Sequence, residues 1–247
     1  MRNLYIIGAG GFGREVAWLV ERINQKELLW NIKGFIDDDS SIFGMTEDNY
    51  NVIGGCDYLK ALDDDYWVVC AVGNAKTRKT IVEKIKGYRH LHFATVIDPD
   101  VKISERTKIG EGTIICVGSI ITVDVEIGKH CIINLDCTIG HDAVLKDYVT
   151  LYPSVNVSGR VNIADKTEIG TGAHIIQGIN IGSGVIIGAG ATVIKDIEDE
   201  VTVVGNPAKV IKKHSAGNFG GVLRKADKVF FYLEESHYRL PKENAAA

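Results

Sequence analysis

Proton transfer near neutral pH calls for an imidazole, and an imidazole serves best as a base when a carboxylate orients it. His141-Asp142, within Thr138-Ile139-Gly140-His141-Asp142-Ala143, is such a pair. A second stretch has the makings of a phosphate cradle. Gly8-Ala9-Gly10-Gly11-Phe12-Gly13 follows the strand-like Leu4-Tyr5-Ile6-Ile7 and leads into a helical run from Arg14 to about Gln25. Glycines let the backbone approach a diphosphate, and a helix N-terminus offers free N–H groups and a favourable dipole. The strand Ile32–Ile36 ends in Asp37-Asp38-Asp39, where a carboxylate can accept hydrogen bonds from a ribose or sugar hydroxyl. Another, Tyr66–Val72, runs into Gly73-Asn74 and a basic helix with Lys76, Arg78 and Lys79. Residues 1–93 thus read as an α/β, half-Rossmann-like nucleotide-binding domain. A dinucleotide fold needs two βαβ halves, so a mononucleotide-type ligand is favoured over NAD and a dehydrogenase is the weaker alternative.

The element that must position His141 is a repeat. From Ile97 to Val193 an aliphatic residue returns every six positions, seventeen times without a slip. With about 30% aliphatic positions, chance would produce that series on the order of once in a billion. A second series four residues later is small or β-branched almost throughout, including Thr113, Ser119, Cys131, Cys137 and Ala143. Large residues at offset 0 and compact ones at offset 4 suit short strands around a narrow interior, with Gly110, Gly128, Gly140, Gly170, Gly182 and Gly188 at offset 1 in turn-compatible places. Three strands make one coil of eighteen residues. His141 falls at offset 2 and points outward, with Gly159 one coil later leaving space beside its ring. His130 and His174 lack both neighbours and are expected to be structural or simply exposed.

The bulk composition narrows the partners. A net charge of −4 over 247 residues gives no basic field for nucleic acid. No apolar stretch is long enough to span a membrane. Five cysteines in no C-x-x-C pair (Cys56, Cys70, Cys116, Cys131, Cys137) read as reduced core thiols, and the expected compartment is cytoplasmic.

The glycine-rich turn, Asp pair, Gly-Asn, unbroken hexads and the ending Val204-Gly205-Asn206-Pro207-Ala208-Lys209 together resemble the sugar O-acyltransferase family. That family includes sialic-acid O-acetyltransferases and N-acetyltransferases of nucleotide-linked 4-amino sugars. The resemblance covers residues 3 to 213 and implies a left-handed parallel β-helix over 94–213; residues 214–247 fall outside it and read as a short helical tail, with a helix-like stretch from Val222 to His237 that contains Phe230, Phe231 and Tyr232. It further implies a homotrimer with active sites between adjacent helices, acetyl-coenzyme A as acyl donor along the later coils, and no metal. The family's catalytic His-acid pair falls on His141 and Asp142, and its acceptor-orienting asparagine on Asn134, expected to face outward. Nucleotide contacts map to Gly11, Gly13, Asp37, Asp38, Gly73 and Asn74. Acetyl-coenzyme A contacts are expected at Thr150, Gly159, Thr171 and Ala189; some N-acetyltransferase members carry a second histidine where this chain has Thr150. The implied activity is acetyl transfer to the amine of a nucleotide-linked 4-amino-4,6-dideoxy sugar, with His141 as general base and direct transfer. O-acetylation of a sialic acid, a non-catalytic trimeric scaffold that binds a sugar nucleotide, and a zinc site on His130, His141 and His174 of the γ-carbonic-anhydrase type are the alternatives.

Overall fold

Leu4, Tyr5, Ile6 and Ile7 are apolar on both faces, and they form the buried centre of a mostly parallel six-stranded sheet. The computed structural model describes residues 1–214; the expected tail helix with Phe230, Phe231 and Tyr232 lies outside the described residues. The elements run β1 (Arg2–Ile7), α1 (Gly11–Lys26), β2 (Trp30–Ile36), β3 (Thr46–Glu47), β4 (Tyr50–Gly54), β5 (Tyr66–Cys70), α2 (Ala75–Ile85) and β6 (Leu91–Phe93). In the sheet their order is β3-β4-β2-β1-β5-β6. Chain order therefore reverses at β1, and the loops after β1 and β5 flank a crevice of the kind that receives ligands in open α/β sheets. Two sequence expectations change here. The α1 helix begins at Gly11, so Gly11 and Gly13 lie in its first turn rather than in the preceding loop. The sequence reading contains no β3–β4 hairpin; Asp48 and Asn49, with φ of 45° and 74°, form its turn.

All seventeen hexads become two-residue strands of a left-handed parallel β-helix. Each strand pairs with the one eighteen residues on, as Ile133 does with Leu151 and Ile139 with Val157. Three sheets result. The first holds Val96–Ile97, Ile114–Ile115, Ile132–Ile133, Thr150–Leu151, Glu168–Ile169 and Ile186–Ile187. The second contains Thr138–Ile139 and the third Val144–Leu145. Offsets 0 and 4 fill the interior from Ile115 to Val193, and each buried aliphatic contributes about 2 kcal/mol. At the open first coil Ile103 remains 36% exposed because nothing stacks below it.

The offset-4 residues are compact because they reach the corner backbone of the next coil. Thr113, Ser119 and Thr167 hydroxyls donate to the carbonyls of Gly128, Asn134 and Gly182, and the Cys131 and Cys137 thiols approach those of Lys146 and Tyr152. The offset-1 glycines are not the residues that turn the chain. Positive φ falls at offset 3, for example at His130, Asp136, Asp142 and Tyr148. Glycine is needed at Gly140 because a Cβ would come within 2.6 Å of the Gly159 nitrogen on the next coil.

The α/β domain covers the outer side of the first sheet. Val96, Ile114 and Ile132 share a core with Leu4, Ile6, Val16 and Leu19. Helix α1 is tied to the first coil by Arg22, whose guanidinium donates to Asp98 and Asp100 at 2.6 Å each. Helix α2 meets the opposite corner, where Lys79 lies over the Tyr148 ring.

Candidate active site

His141 follows the second sheet at the corner leading to the third, on the open side of the helix. Asp142 has φ 59°, a left-handed conformation that Asp tolerates, and the bend brings two consecutive side chains together. His141 Nδ1 lies 2.8 Å from Asp142 Oδ2. An ionised carboxylate only accepts, so Nδ1 carries the proton and Nε2 is left as the basic nitrogen. Nε2 faces Gly159: a Cβ there would stand 2.5 Å from it. The corner is held from both sides, since His141 O accepts from Arg160 N at 2.8 Å and Asp142 N donates to Val123 O. The Gly159 N–H takes no part in the coil ladder and has no acceptor among the described residues. An imidazole and the carboxylate that orients it therefore share one exposed corner, with the buried Gly159 backbone against the ring.

The other sequence candidates divide among three places. Thr171 and Ala189 are exposed at the corner between the first and second sheets, one coil apart, on a different edge from His141. Asn134 begins the same corner; it is only 9% exposed, against the outward placement expected, and its Oδ1 accepts from Leu135 N at 2.7 Å. Thr150 is buried beneath the α/β domain, where its hydroxyl accepts from Arg78 and donates to Gly73 O. That burial leaves Thr150 no surface for coenzyme A.

Gly11, Gly13, Asp37, Gly73 and Asn74 gather around the β1/β5 crevice, but most have structural work there. A Cβ at Gly13 would collide with the Gly8 carbonyl, so glycine seats α1 against β1. Asp37 accepts from Ala9 N at 2.9 Å and Asp39 N at 3.0 Å, bracing the glycine turn. Asp38 turns away to Cys56 N at 2.7 Å. Asn74 caps α2 through Thr77 N, and Glu168 of the β-helix accepts from Ala75 N at 3.0 Å and Asn74 Nδ2 at 2.8 Å. The α2 N-terminus is thus already occupied by a carboxylate of the same chain. The α1 N-terminus has no side-chain cap at Gly10 and no acidic residue in its first turn, which leaves its N–H groups for an anion.

Burial holds the cysteine thiols protonated: those of Cys131 and Cys137 are pushed up to about 12. They are poor nucleophiles for a covalent intermediate. His130, His141 and His174 do not converge, and among the described residues no group of three metal-ligating side chains does.

Comparison with known proteins gives the family of the fold. Residues 3–85 match the PglD N-terminal domain family. The acetyltransferase domain of PglB from Neisseria gonorrhoeae, solved in complex with acetyl coenzyme A, is 32% identical; the match covers 85% of this chain and 99% of that one, with a TM-score of 0.77. The chain belongs to the hexapeptide-repeat sugar acetyltransferase family. WeeI from Acinetobacter baumannii is likewise 32% identical, over 85% of this chain and 100% of that one, with a TM-score of 0.76. PerB from Caulobacter crescentus, in complex with CoA and GDP-perosamine, is 25% identical over 85% and 97%, also with a TM-score of 0.76. No curated protein matches the sequence. For this acetyltransferase, sequence reasoning missed Arg78 and Glu168 as members of the site region. A signal existed: Glu168 is a lone acid in the otherwise uncharged ladder Val96, Ile114, Ile132, Thr150, Glu168, Ile186.

Proposed function

We propose that the protein is an acetyl-coenzyme-A-dependent N-acetyltransferase of a nucleotide-linked 4-amino-4,6-dideoxy sugar, used in surface glycan biosynthesis. The observation that carries the reading is the His141–Asp142 pair set over Gly159 on an open corner. An amine attacks a thioester carbonyl productively only if its proton leaves as the C–N bond forms. His141 Nε2 takes that proton, Asp142 holds the ring and the resulting imidazolium, and the Gly159 N–H donates to the oxyanion. Collapse breaks the C–S bond, and the imidazolium returns a proton to the departing coenzyme A thiolate. Exposed Ile176 and Ile194 continue up the same corner and offer an apolar track for the pantetheine arm.

Asn134, Thr171 and Ala189 lie on one corner and His141 and Gly159 on the next, so a complete site needs corners from two copies. This supports the homotrimer with active sites between neighbouring helices. The acceptor's diphosphate sits at the α1 N-terminus, the one uncapped helix end at the crevice. Five free, buried cysteines suit a reducing compartment, and the reading places the enzyme in the cytoplasm. No helix of the described residues is long and apolar enough to cross a membrane.

The test is thiol release from acetyl-coenzyme A with UDP-, dTDP- and GDP-linked 4-amino sugars and with free sialic acid. Turnover of one nucleotide sugar is expected. Activity on sialic acid alone replaces this reading with O-acetylation, and no turnover on any acceptor favours a non-catalytic scaffold.

A further inference from the structure

Arg78 is fully buried, at 0% exposure, and it has no carboxylate in hydrogen-bond contact. All five of its N–H groups are nevertheless used. Nε donates to His130 O at 2.9 Å; Nη1 to Val72 O at 2.7 Å and Gly73 O at 2.8 Å; Nη2 to Tyr148 O and Thr150 Oγ1, both at 2.9 Å. His130 and Tyr148 occupy the same corner position on successive coils, so one guanidinium reads two coils and the loop after β5 together. Glu168, paired one coil beyond Thr150, grips the same loop through Ala75 N and Asn74 Nδ2 and receives the Tyr152 hydroxyl at 3.1 Å. Burial raises the Glu168 carboxyl, while these donors oppose that rise. Burying such groups is costly, and here every Arg78 donor joins the loop or a coil to the same guanidinium.

The loop so held, Val72-Gly73-Asn74, is one wall of the β1/β5 crevice. Coils repeat about every 4.8 Å, and productive reaction geometry tolerates displacements of only about 0.5 Å. A loop free to shift against the coils would deliver an acceptor at the wrong height on the β-helix. We propose that Arg78 and Glu168 are positioning residues for the acceptor: they lock the Gly73–Asn74 wall of the nucleotide crevice to defined coils of the β-helix. This rests on the nucleotide reading above.

The experiment titrates the full-length chain with UDP, dTDP and GDP, and separately with acetyl-coenzyme A, by calorimetry. Arg78→Lys and Glu168→Gln are expected to weaken the diphosphate that the wild type binds by about tenfold, the scale of one charge-assisted hydrogen bond, with acetyl-coenzyme A affinity unchanged. Tyr152→Phe removes one donor to Glu168 without disturbing the fold, and a loss of about threefold is expected. Arg22→Gln is the control: it cuts the Asp98 and Asp100 contacts across the same domain boundary, away from the crevice, and keeps both affinities. Equal losses in Arg22→Gln, parallel loss of acetyl-coenzyme A, or wild-type diphosphate affinity in the variants that fold would each overturn the proposal while the function reading stands. A wild-type chain that binds none of the three diphosphates overturns both.

Discussion

His130 and His141 stand on neighbouring corners of one repeat and have opposite surroundings. His130 is 4% exposed, edge-on to Phe93 with centroids 4.6 Å apart and stacked on Tyr148 at 5.2 Å; its Nδ1 is buried without a partner among the described residues. His141 is open to solvent and paired with a carboxylate. Both rings lie against a glycine of an adjacent coil, Gly112 and Gly159 respectively. The hexad sets which way a residue projects; the cover supplied by the α/β domain decides whether an imidazole there packs or stays open to solvent.

That contrast can be broken from either side. The largest effect on stability is expected at the covered corner. Burial pushes the His130 imidazole down from 6.5 to about 4, so between those values the unfolded chain binds a proton that the folded chain refuses. Its contribution is intact above pH 6.5 and is lost as pH falls toward 4, amounting to about 3 kcal/mol. His130→Asn, which keeps a residue tolerant of the positive φ, should flatten that pH dependence in urea unfolding at pH 7.5, 5.5 and 4.5. An unchanged slope would mean that His130 is not the acid-sensitive group.

At the open corner, Gly159→Ala pushes a methyl against Nε2 and displaces the ring, and kcat should fall about 100-fold with little change in Tm. Asp142→Asn keeps the size of the side chain and its left-handed conformation but removes the charge that stabilises the imidazolium. Here kcat should fall about tenfold, with the KM for acetyl-coenzyme A unmoved. Were Asp142→Asn to lower Tm rather than kcat, the pair would be a corner brace and the contrast with His130 would weaken.

The repeat was legible because each hexad carries its own steric demand: a large aliphatic at offset 0 and a compact residue at offset 4 leave little freedom. The outward position of His141 and the gap at Gly159 follow from the same counting. What the counting lacks is the cover. Thr150 and Asn134 have outward offsets, yet Thr150 is sealed under the α/β domain and Asn134 is nearly buried. An eighteen-residue pattern carries that information: outward positions of the first sheet run Val96, Ile114, Ile132, while those of the second include Lys102, Asn156 and His174. The family resemblance makes Asp37 and Asn74 ligand contacts, and their hydrogen bonds with Ala9 N and Thr77 N show what those residue types also do in a tight turn or helix cap. The Arg78 network joins residues 72 to 150, a separation that local pattern does not encode.

The most direct test of the account is steady-state acetyl transfer by His141→Ala beside His130→Asn at pH 7.5, with acetyl-coenzyme A varied for both. The account predicts that His141→Ala loses about 1,000-fold in kcat while keeping its acetyl-coenzyme A KM and its Tm, and that His130→Asn turns over at the wild-type rate. Undiminished turnover in His141→Ala, or an equal loss in both variants, would contradict it.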